Sequence, residues 1–160
     1  MRRACSVELP SSVRRQAFIE SLKQGTVFRL KGSKPFESDS YHIFIVLNYD
    51  PSADILTYLV NGTSQVEKRK AALYAMSIDV ENTTVTFAPN QYCFFPKETL
   101  VNCNSVHNLD VNLIDFSSDD IMYVDGELCD KDVQRIVKGV QHSRLVPPYI
   151  KQRLLPPENN

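Results

Sequence analysis

Three side chains that can move a proton or hold a phosphate occur at the ends of two neighbouring predicted strands. His42 begins one apolar strand, and Thr63 and Ser64 follow the next strand along the chain. An imidazole titrates near neutral pH and serves as a general acid or base, while hydroxyl groups donate hydrogen bonds to phosphate oxygens. We predict that these residues bind or cleave an RNA phosphodiester. In the cleavage reaction they would be the catalytic groups, the ribose 2′-hydroxyl attacks and no metal is needed.

Polar and basic residues next to this set suit the backbone of the same ligand. Lys68 and Arg69 follow the two hydroxyls, Gln65 lies at the polar exit of the strand, and Lys34 belongs to the loop before His42. A positioned cation contacts a phosphate without needing a deep pocket. Lys34, Gln65, Lys68 and Arg69 are therefore predicted to bind RNA.

Each of these residues also has a purely structural interpretation. A single histidine at the start of a strand is usually an ordinary surface or core residue. Ser64 and Glu67 have the spacing of a capping box, so the hydroxyls at 63 and 64 are equally suited to beginning a helix. The basic residues that follow are typical of a solvated helix face.

The predicted closeness of His42 and Thr63 depends on an antiparallel hairpin. Residues 42–48 form a β-branched and aromatic run, typical of a central strand buried on both faces, and residues 54–61 form its predicted partner. A turn signal at residues 49–52 lies between them. Because the start of one strand in a hairpin lies beside the end of its partner, His42 and Thr63 are expected at one rim.

The rest of the chain predicts short strands between helical ends. Helices are expected at residues 12–24 with Ser12 as the cap, at 64–76, from Asp130 as a cap onwards, and at 147–155; the stripe Val133, Ile136, Val137 and Val140 gives the third of these an apolar face. Strands are expected at 26–31 (half-buried), 83–88, 94–103 and, as an edge strand, 121–124. Since βαβ alternation is missing, we predict a mainly β α+β fold, with a small bent antiparallel sheet or barrel and packing helices.

Charge is distributed unevenly along the 160 residues, whose net charge is −1. Residues 1–36 carry a net charge of +6, residues 37–132 carry −11, and residues 133–160 carry +4. One interpretation is that the basic ends of the chain bind a phosphate backbone. The other is that the solvent-exposed faces of the protein simply differ in the sign of their charge. The stretch 109–132 has eight acids and one Lys, and it is a candidate docking surface for a basic partner.

Sequence signals for metals, nucleotides and membranes are missing. The cysteines, at positions 5, 93, 103 and 129, have no zinc-site spacing, and the chain has no nucleotide-binding or metalloprotease motif. The longest apolar run, residues 43–47, is far shorter than the ~20 residues of a membrane span. We therefore expect no metal, no cofactor and no membrane association, with reduced thiols and a cytoplasmic location.

Four short segments resemble the PemK/MazF-type toxin family. They are Gly25-Thr26-Val27-Phe28 at the first strand, the apolar strand 42–48, the strand exit Thr63-Ser64-Gln65, and Gly126-Glu127-Leu128 before the last long helix. The resemblance covers roughly residues 25–142, with the segments in the family's order. It implies an SH3-like barrel, usually a homodimer, that cleaves single-stranded RNA without metal and is neutralised by an antitoxin.

The resemblance also assigns positions to the family's functional residues. Thr63 falls where the family's strand-exit threonine lies, and Ser64 follows it. The family's catalytic arginine belongs to an Arg-Pro pair that opens the second strand, whereas this chain has Tyr41-His42-Ile43 there. Either His42 takes over as the proton-transfer group, or catalysis is lost.

These observations predict a toxin component that acts as a metal-independent endoribonuclease. A catalytically inactive relative that binds protein or RNA is the alternative, and an interaction module that uses the acidic stretch 109–132 is a third hypothesis. The expected organisation is a helical extension at residues 1–24, a barrel domain with its packing helix at 25–142, and a tail with a short helix at 143–160. Single-stranded RNA, a cognate antitoxin and a second copy of the chain are the expected partners.

Overall fold

The computed structural model describes residues 9–32, 38–118 and 121–157, with the backbone alone at residues 121–125. It has a mixed α+β architecture in which most of the elements are strands. The strands are β1 (Thr26–Leu30), β2 (His42–Val46), β3 (Thr57–Thr63), β4 (Thr84–Phe87), β5 (Thr99–Asn102), β6 (His107–Leu109) and β7 (Ile121–Glu127). The helices are α1 (Ser11–Ser21), α2 (Val66–Ala75), α3 (Val80–Thr83), α4 (Asp130–His142) and α5 (Pro148–Arg153), with a 3₁₀ turn at Val111–Leu113. In the described part of the chain, no helix has the length and apolar character needed to cross a membrane.

The strands join one antiparallel sheet that curls into a half-barrel. Their order is β4-β5-β3-β2-β1-β7, and β6 pairs with the first half of β3. Strand β5 pairs with the last two residues of β3, Gly62 and Thr63, so β6 and β5 divide one side of β3 between them. The predicted α+β fold with a small bent antiparallel sheet is therefore confirmed, and β7 is an edge strand as expected.

Both faces of the central strands are buried. Val27 and Ile45 point into a core shared with α4 and α5, while Phe28 and Phe44 point into a second core shared with α1 and Phe116. The expectation that the first strand is half-buried is therefore wrong, because Val27 and Phe28 are both fully buried. The expectation that the second strand is buried on both faces is confirmed for Phe44 and Ile45.

Helix α4 packs on the sheet through the apolar stripe predicted from its sequence. Val133, Ile136, Val137 and Val140 are each at most 7% exposed. At the other end of the chain, Phe18 of α1 packs edge-on against the ring of Phe28, with 5.2 Å between ring centroids. The sheet thus has a helix against each of its faces.

The helix caps predicted from the sequence are wrong. Pro10 precedes α1, Gln65 precedes α2 and Cys129 precedes α4, and none of these helices has a side-chain cap hydrogen bond. Ser12 and Asp130 instead lie within the first turns of their helices. The capping-box prediction fails because α2 begins at Val66, two residues after Ser64.

Candidate functional site

An open cleft of about 310 Å³ lies where β2 begins and β3 ends. Residues from four parts of the chain form its wall: β1, the start of β2, the end of β3 with the residues after it, and the segment that leads into β5. The lining residues are Arg29, Tyr41, His42, Ile43, Gly62, Thr63, Ser64, Gln65, Phe94, Phe95, Pro96, Lys97 and Thr99.

The β2–β3 register brings the predicted catalytic residues to this cleft. Ile43 lies opposite Gly62, and continuing the antiparallel register by one residue sets His42 opposite Thr63. Ser64 and Gln65 follow at the same rim and line the cleft with them. Four of the seven predicted site residues therefore share one cavity.

The hydroxyls of Thr63 and Ser64, which both line the cleft, differ in their surroundings. Thr63 is half-buried, and its Oγ1 accepts a hydrogen bond from the backbone N–H of Gln65 at 3.2 Å. Ser64 is exposed. Because the turn uses Thr63 Oγ1 as an acceptor, its O–H is oriented away from that amide and can donate to a bound oxygen.

Gly62 keeps the floor of the cleft open. An ideal Cβ at this position would lie 2.9 Å from Thr99 Cγ2 and 3.1 Å from Ile43 Cγ2. Both contacts are with short β-branched side chains on the two strands beside β3. Any larger residue at 62 would therefore push the neighbouring strands apart or fill the cavity.

An aromatic pair forms part of the wall of the cleft. Phe94 and Phe95 pack edge-on with 4.8 Å between ring centroids, and both are buried. Tyr92 stacks on Phe94 at 5.1 Å. Gly126, with a φ of +143°, lies against Phe94, and an ideal Cβ there would be 3.2 Å from Phe94 Cε1. A glycine in β7 thus permits the close packing that fixes this wall.

Two cations of the cleft were not predicted from the sequence. Arg29 lies on β1 in register with Ile43 and is half-buried, and Lys97 is exposed in the segment before β5. No Asp or Glu is among the described residues that line the cavity. Arg29 is the one charged residue in the apolar strand 26–30, which is a usable sequence signal, whereas nothing in the sequence distinguishes Lys97.

The other predicted RNA-binding residues lie elsewhere. Lys68 and Arg69 are exposed on the first turn of α2, and neither lines the cleft. Lys34 lies outside the described residues, so its predicted place at the rim stays a prediction. The structure therefore brings Gln65 into the cavity but not the two cations on α2.

The two remaining histidines have other surroundings. His107, on β6, packs edge-on against Phe44 at 6.3 Å between ring centroids, and burial lowers its pKa. His142 is exposed at the end of α4, with Nδ1 2.8 Å from the carbonyl oxygen of Lys138. His42 is thus the imidazole that lines the cleft.

The chemistry open to this cavity is acid–base chemistry on an anionic ligand. An imidazole, four hydroxyl-bearing side chains, an amide and two cations surround the space, and none of the described lining residues is an acid. In the described part of the chain, no group of three or more His, Cys, Asp or Glu side chains is arranged to hold a metal ion. A scan against protein-family models finds no match to the sequence, and a search of curated proteins finds none either.

Proposed function

We propose that this protein is an endoribonuclease of the PemK/MazF type, which cleaves single-stranded RNA without a metal and serves as the toxin of a toxin–antitoxin system. The observation that carries the proposal is the composition of the cleft. His42, Thr63 and Ser64 share it with Arg29 and Lys97, and no carboxylate lines it among the described residues. The chain as a whole is nearly neutral, with 19 acids and 18 Lys or Arg. A cavity whose described lining includes cations and no acids therefore favours an anionic ligand.

In the proposed reaction the RNA supplies its own nucleophile. The ribose 2′-oxygen attacks the adjacent phosphorus, the bond from phosphorus to the 5′-oxygen breaks, and the products are a 2′,3′-cyclic phosphate and a free 5′-hydroxyl. His42 takes the proton from the 2′-hydroxyl and returns a proton to the departing 5′-oxygen. One imidazole at the cleft can perform both transfers in sequence, because an imidazole nitrogen accepts a proton in the first step and donates it in the second.

The hydroxyls act on the non-bridging phosphate oxygens. Thr63 Oγ1 accepts from the amide of Gln65, which leaves its proton for a phosphate oxygen. Ser64 is exposed beside it and supplies a second donor. Donors held at the place where negative charge develops stabilise the transition state more than the ground state.

The alternative function is RNA or protein binding without cleavage. The specific observation in its favour is the sequence Tyr41-His42-Ile43 at the position where the resemblance calls for an Arg-Pro pair. The same cleft would then hold an anionic ligand without breaking it. Products on a gel separate the two functions, because binding alone gives retention and no new ends.

The first prediction tests His42 directly. The purified protein is incubated with a long single-stranded RNA and a chelator, and the products are resolved on a gel. We expect discrete cuts by the wild type and a loss of about 100-fold or more in rate for His42→Ala, the usual contribution of a general acid or base. The midpoint of thermal unfolding is expected to stay within a few degrees, since His42 is half-buried at a strand start.

His142→Ala is the matched control, because it removes an exposed imidazole far along the chain. It is expected to leave cleavage unchanged. Full activity of His42→Ala would remove His42 from the mechanism, and an absence of cuts by the wild type would favour the binding function.

The proposal extends to the cellular partners that the resemblance implies. A toxin of this type acts in the cytoplasm, as a homodimer, and is neutralised by a cognate antitoxin. Expression of the chain alone is expected to arrest growth, and co-expression of the protein encoded by the neighbouring reading frame is expected to relieve that arrest.

A further inference from the structure

Two cations reach the cleft from separate elements of the fold. Arg29 enters from the middle of β1, and Lys97 enters from the segment that leads into β5. The two are 68 positions apart in the sequence, and they meet at this cavity because β1 and β5 both lie near β2 and β3 in the sheet order. Cations gathered from distant positions at one cavity, with no acid among the described residues that line it, indicate an anion site.

Arg29 is held by the strand that carries it. Its neighbours in β1, Phe28 and Leu30, are at most 2% exposed, and the register sets Arg29 beside Ile43, next to His42. A guanidinium carries five N–H donors in a planar fork that matches two phosphate oxygens. An arginine at this position is suited to the phosphate group on which His42 acts.

The packing and hydrogen bonding of its loop fix the position of the Lys97 backbone. Phe94 and Phe95 anchor the preceding residues in the core, and the carbonyl oxygen of Lys97 accepts a hydrogen bond from Thr99 Oγ1 at 2.9 Å. Its side chain is exposed at the cleft wall. An ammonium on a flexible stem suits a phosphate whose position varies, such as one adjacent to the scissile bond.

We propose that Arg29 and Lys97 are the phosphate ligands of this cleft, so that the nucleic-acid backbone passes between β1 and the segment before β5. This inference rests on the proposed function and names the residues that hold its substrate. It also reassigns the role predicted for Lys68 and Arg69, which are exposed on α2 and do not line the cavity.

The test measures binding separately from cleavage. The probe is a fluorescent single-stranded 2′-O-methyl RNA of ten nucleotides, which lacks the attacking hydroxyl and cannot be cut. Its Kd is measured at several salt concentrations for the wild type, Arg29→Gln and Lys97→Gln. Each variant is expected to bind about tenfold more weakly or worse, and to lower the slope of log K against log salt by about 0.7, the value for one lost contact to a single strand.

Two controls carry equal changes in charge. Lys131→Gln and Lys138→Gln each remove one exposed cation from α4. Both are expected to bind the probe within about twofold of the wild type. Thermal unfolding is recorded for every variant. If Arg29→Gln unfolds, Lys97→Gln still tests whether the cations of the cleft bind phosphate. Lys97 is exposed, so its substitution is expected to leave the fold intact.

The outcomes separate this inference from the proposed function. Weakened binding by Arg29→Gln and Lys97→Gln, with unchanged controls, supports the phosphate assignment whether or not unmodified RNA is cut. Unchanged binding by both variants overturns the assignment, even if the wild type cleaves RNA. A wild type that neither binds the probe nor cuts RNA overturns both.

Discussion

Asp132 is the centre of a polar network that joins the aromatic wall of the cleft to the start of α4. Tyr92 Oη donates to Asp132 Oδ2 at 2.7 Å, and Arg135 Nη1 lies 2.8 Å from Oδ1. Burial raises the pKa of this carboxyl, but hydrogen bonds from Tyr92 and Arg135 outweigh burial and hold its pKa below the usual value. Because Tyr92 stacks on Phe94, the network also fixes one wall of the cavity.

The pKa of Asp132 makes the stability of the fold depend on pH. Since this pKa is lower in the folded protein, the carboxylate stabilises the fold above its unfolded value of ~3.9, and the contribution is lost as pH falls through the folded value. We expect Asp132→Asn to lower the free energy of unfolding by about 1.5–3 kcal/mol at pH 7. Urea unfolding at pH 7 and pH 3 measures this, and the difference from the wild type is expected to shrink at the lower pH.

Asp130→Asn is the control, because Asp130 is an exposed carboxyl two positions earlier on the same helix. It is expected to change the free energy of unfolding by less than about 0.5 kcal/mol. A loss for Asp132→Asn that is equal at both pH values would contradict a role for the charge.

At the scale of the element, α4 holds the sheet through a buried stripe. Val137 is 3% exposed, so Val137→Asp would put a carboxylate without a partner into the core. We expect a loss of about 3–5 kcal/mol, measured by urea unfolding. Gln134→Asp, on the exposed side of the same helix, introduces the same group into solvent and is expected to unfold near the wild-type midpoint. An unchanged cooperative melt for Val137→Asp would mean that this face is exposed in solution.

Local sequence patterns predicted the elements whose buried residues form a recognisable apolar run or stripe. The stripe of α4 and the apolar run of β2 are of this kind, because each pattern depends on neighbouring residues alone. The sequence pattern predicted that the strand begins at residue 54, but β3 begins at Thr57 because of side-chain hydrogen bonds that a local pattern does not show. The buried side chain of Asn48 donates to Leu56 O at 3.0 Å and accepts from Tyr58 N at 2.6 Å. These bonds hold residues 48–56 as a loop, and the ladder starts after it.

The candidate site could be predicted only in the part that one hairpin contains. His42 and Thr63 belong to adjacent strands, so the hairpin rule was enough to bring them together. Arg29 and Lys97 required knowledge that β1 pairs with β2 and that β5 pairs with the end of β3. The second pairing joins residues nearly 40 positions apart, at Gly62 and Val101, and no local signal specifies it.

At the scale of the whole molecule, no described residue of the acidic stretch 109–132 lines the cleft. Salt screens the charge of residues outside the cleft, with a Debye length of ~8 Å at physiological ionic strength. We therefore expect Asp110→Asn with Asp115→Asn to leave the Kd for the 2′-O-methyl probe within about twofold of the wild type.

The comparison variant for this test is Arg29→Gln with Lys97→Gln, which changes the charge at the cleft by the same magnitude and with the opposite sign. If the acidic pair alters binding more than the basic pair does, the probe is not held by the cations of the cleft. The assignment of Arg29 and Lys97 as phosphate ligands would then be wrong.

The burial of both faces of β1 and β2 has a consequence for the order in which the molecule opens. Each strand contributes alternate side chains to two cores. Because the two cores share these strands, unfolding of one core would also disrupt the other. Local opening events therefore begin at the periphery, and the central amides become accessible to solvent exchange last, at the cost of global unfolding. Arg29 and His42 are attached to those two strands. The candidate site residues therefore lie on the strands that we expect to unfold last.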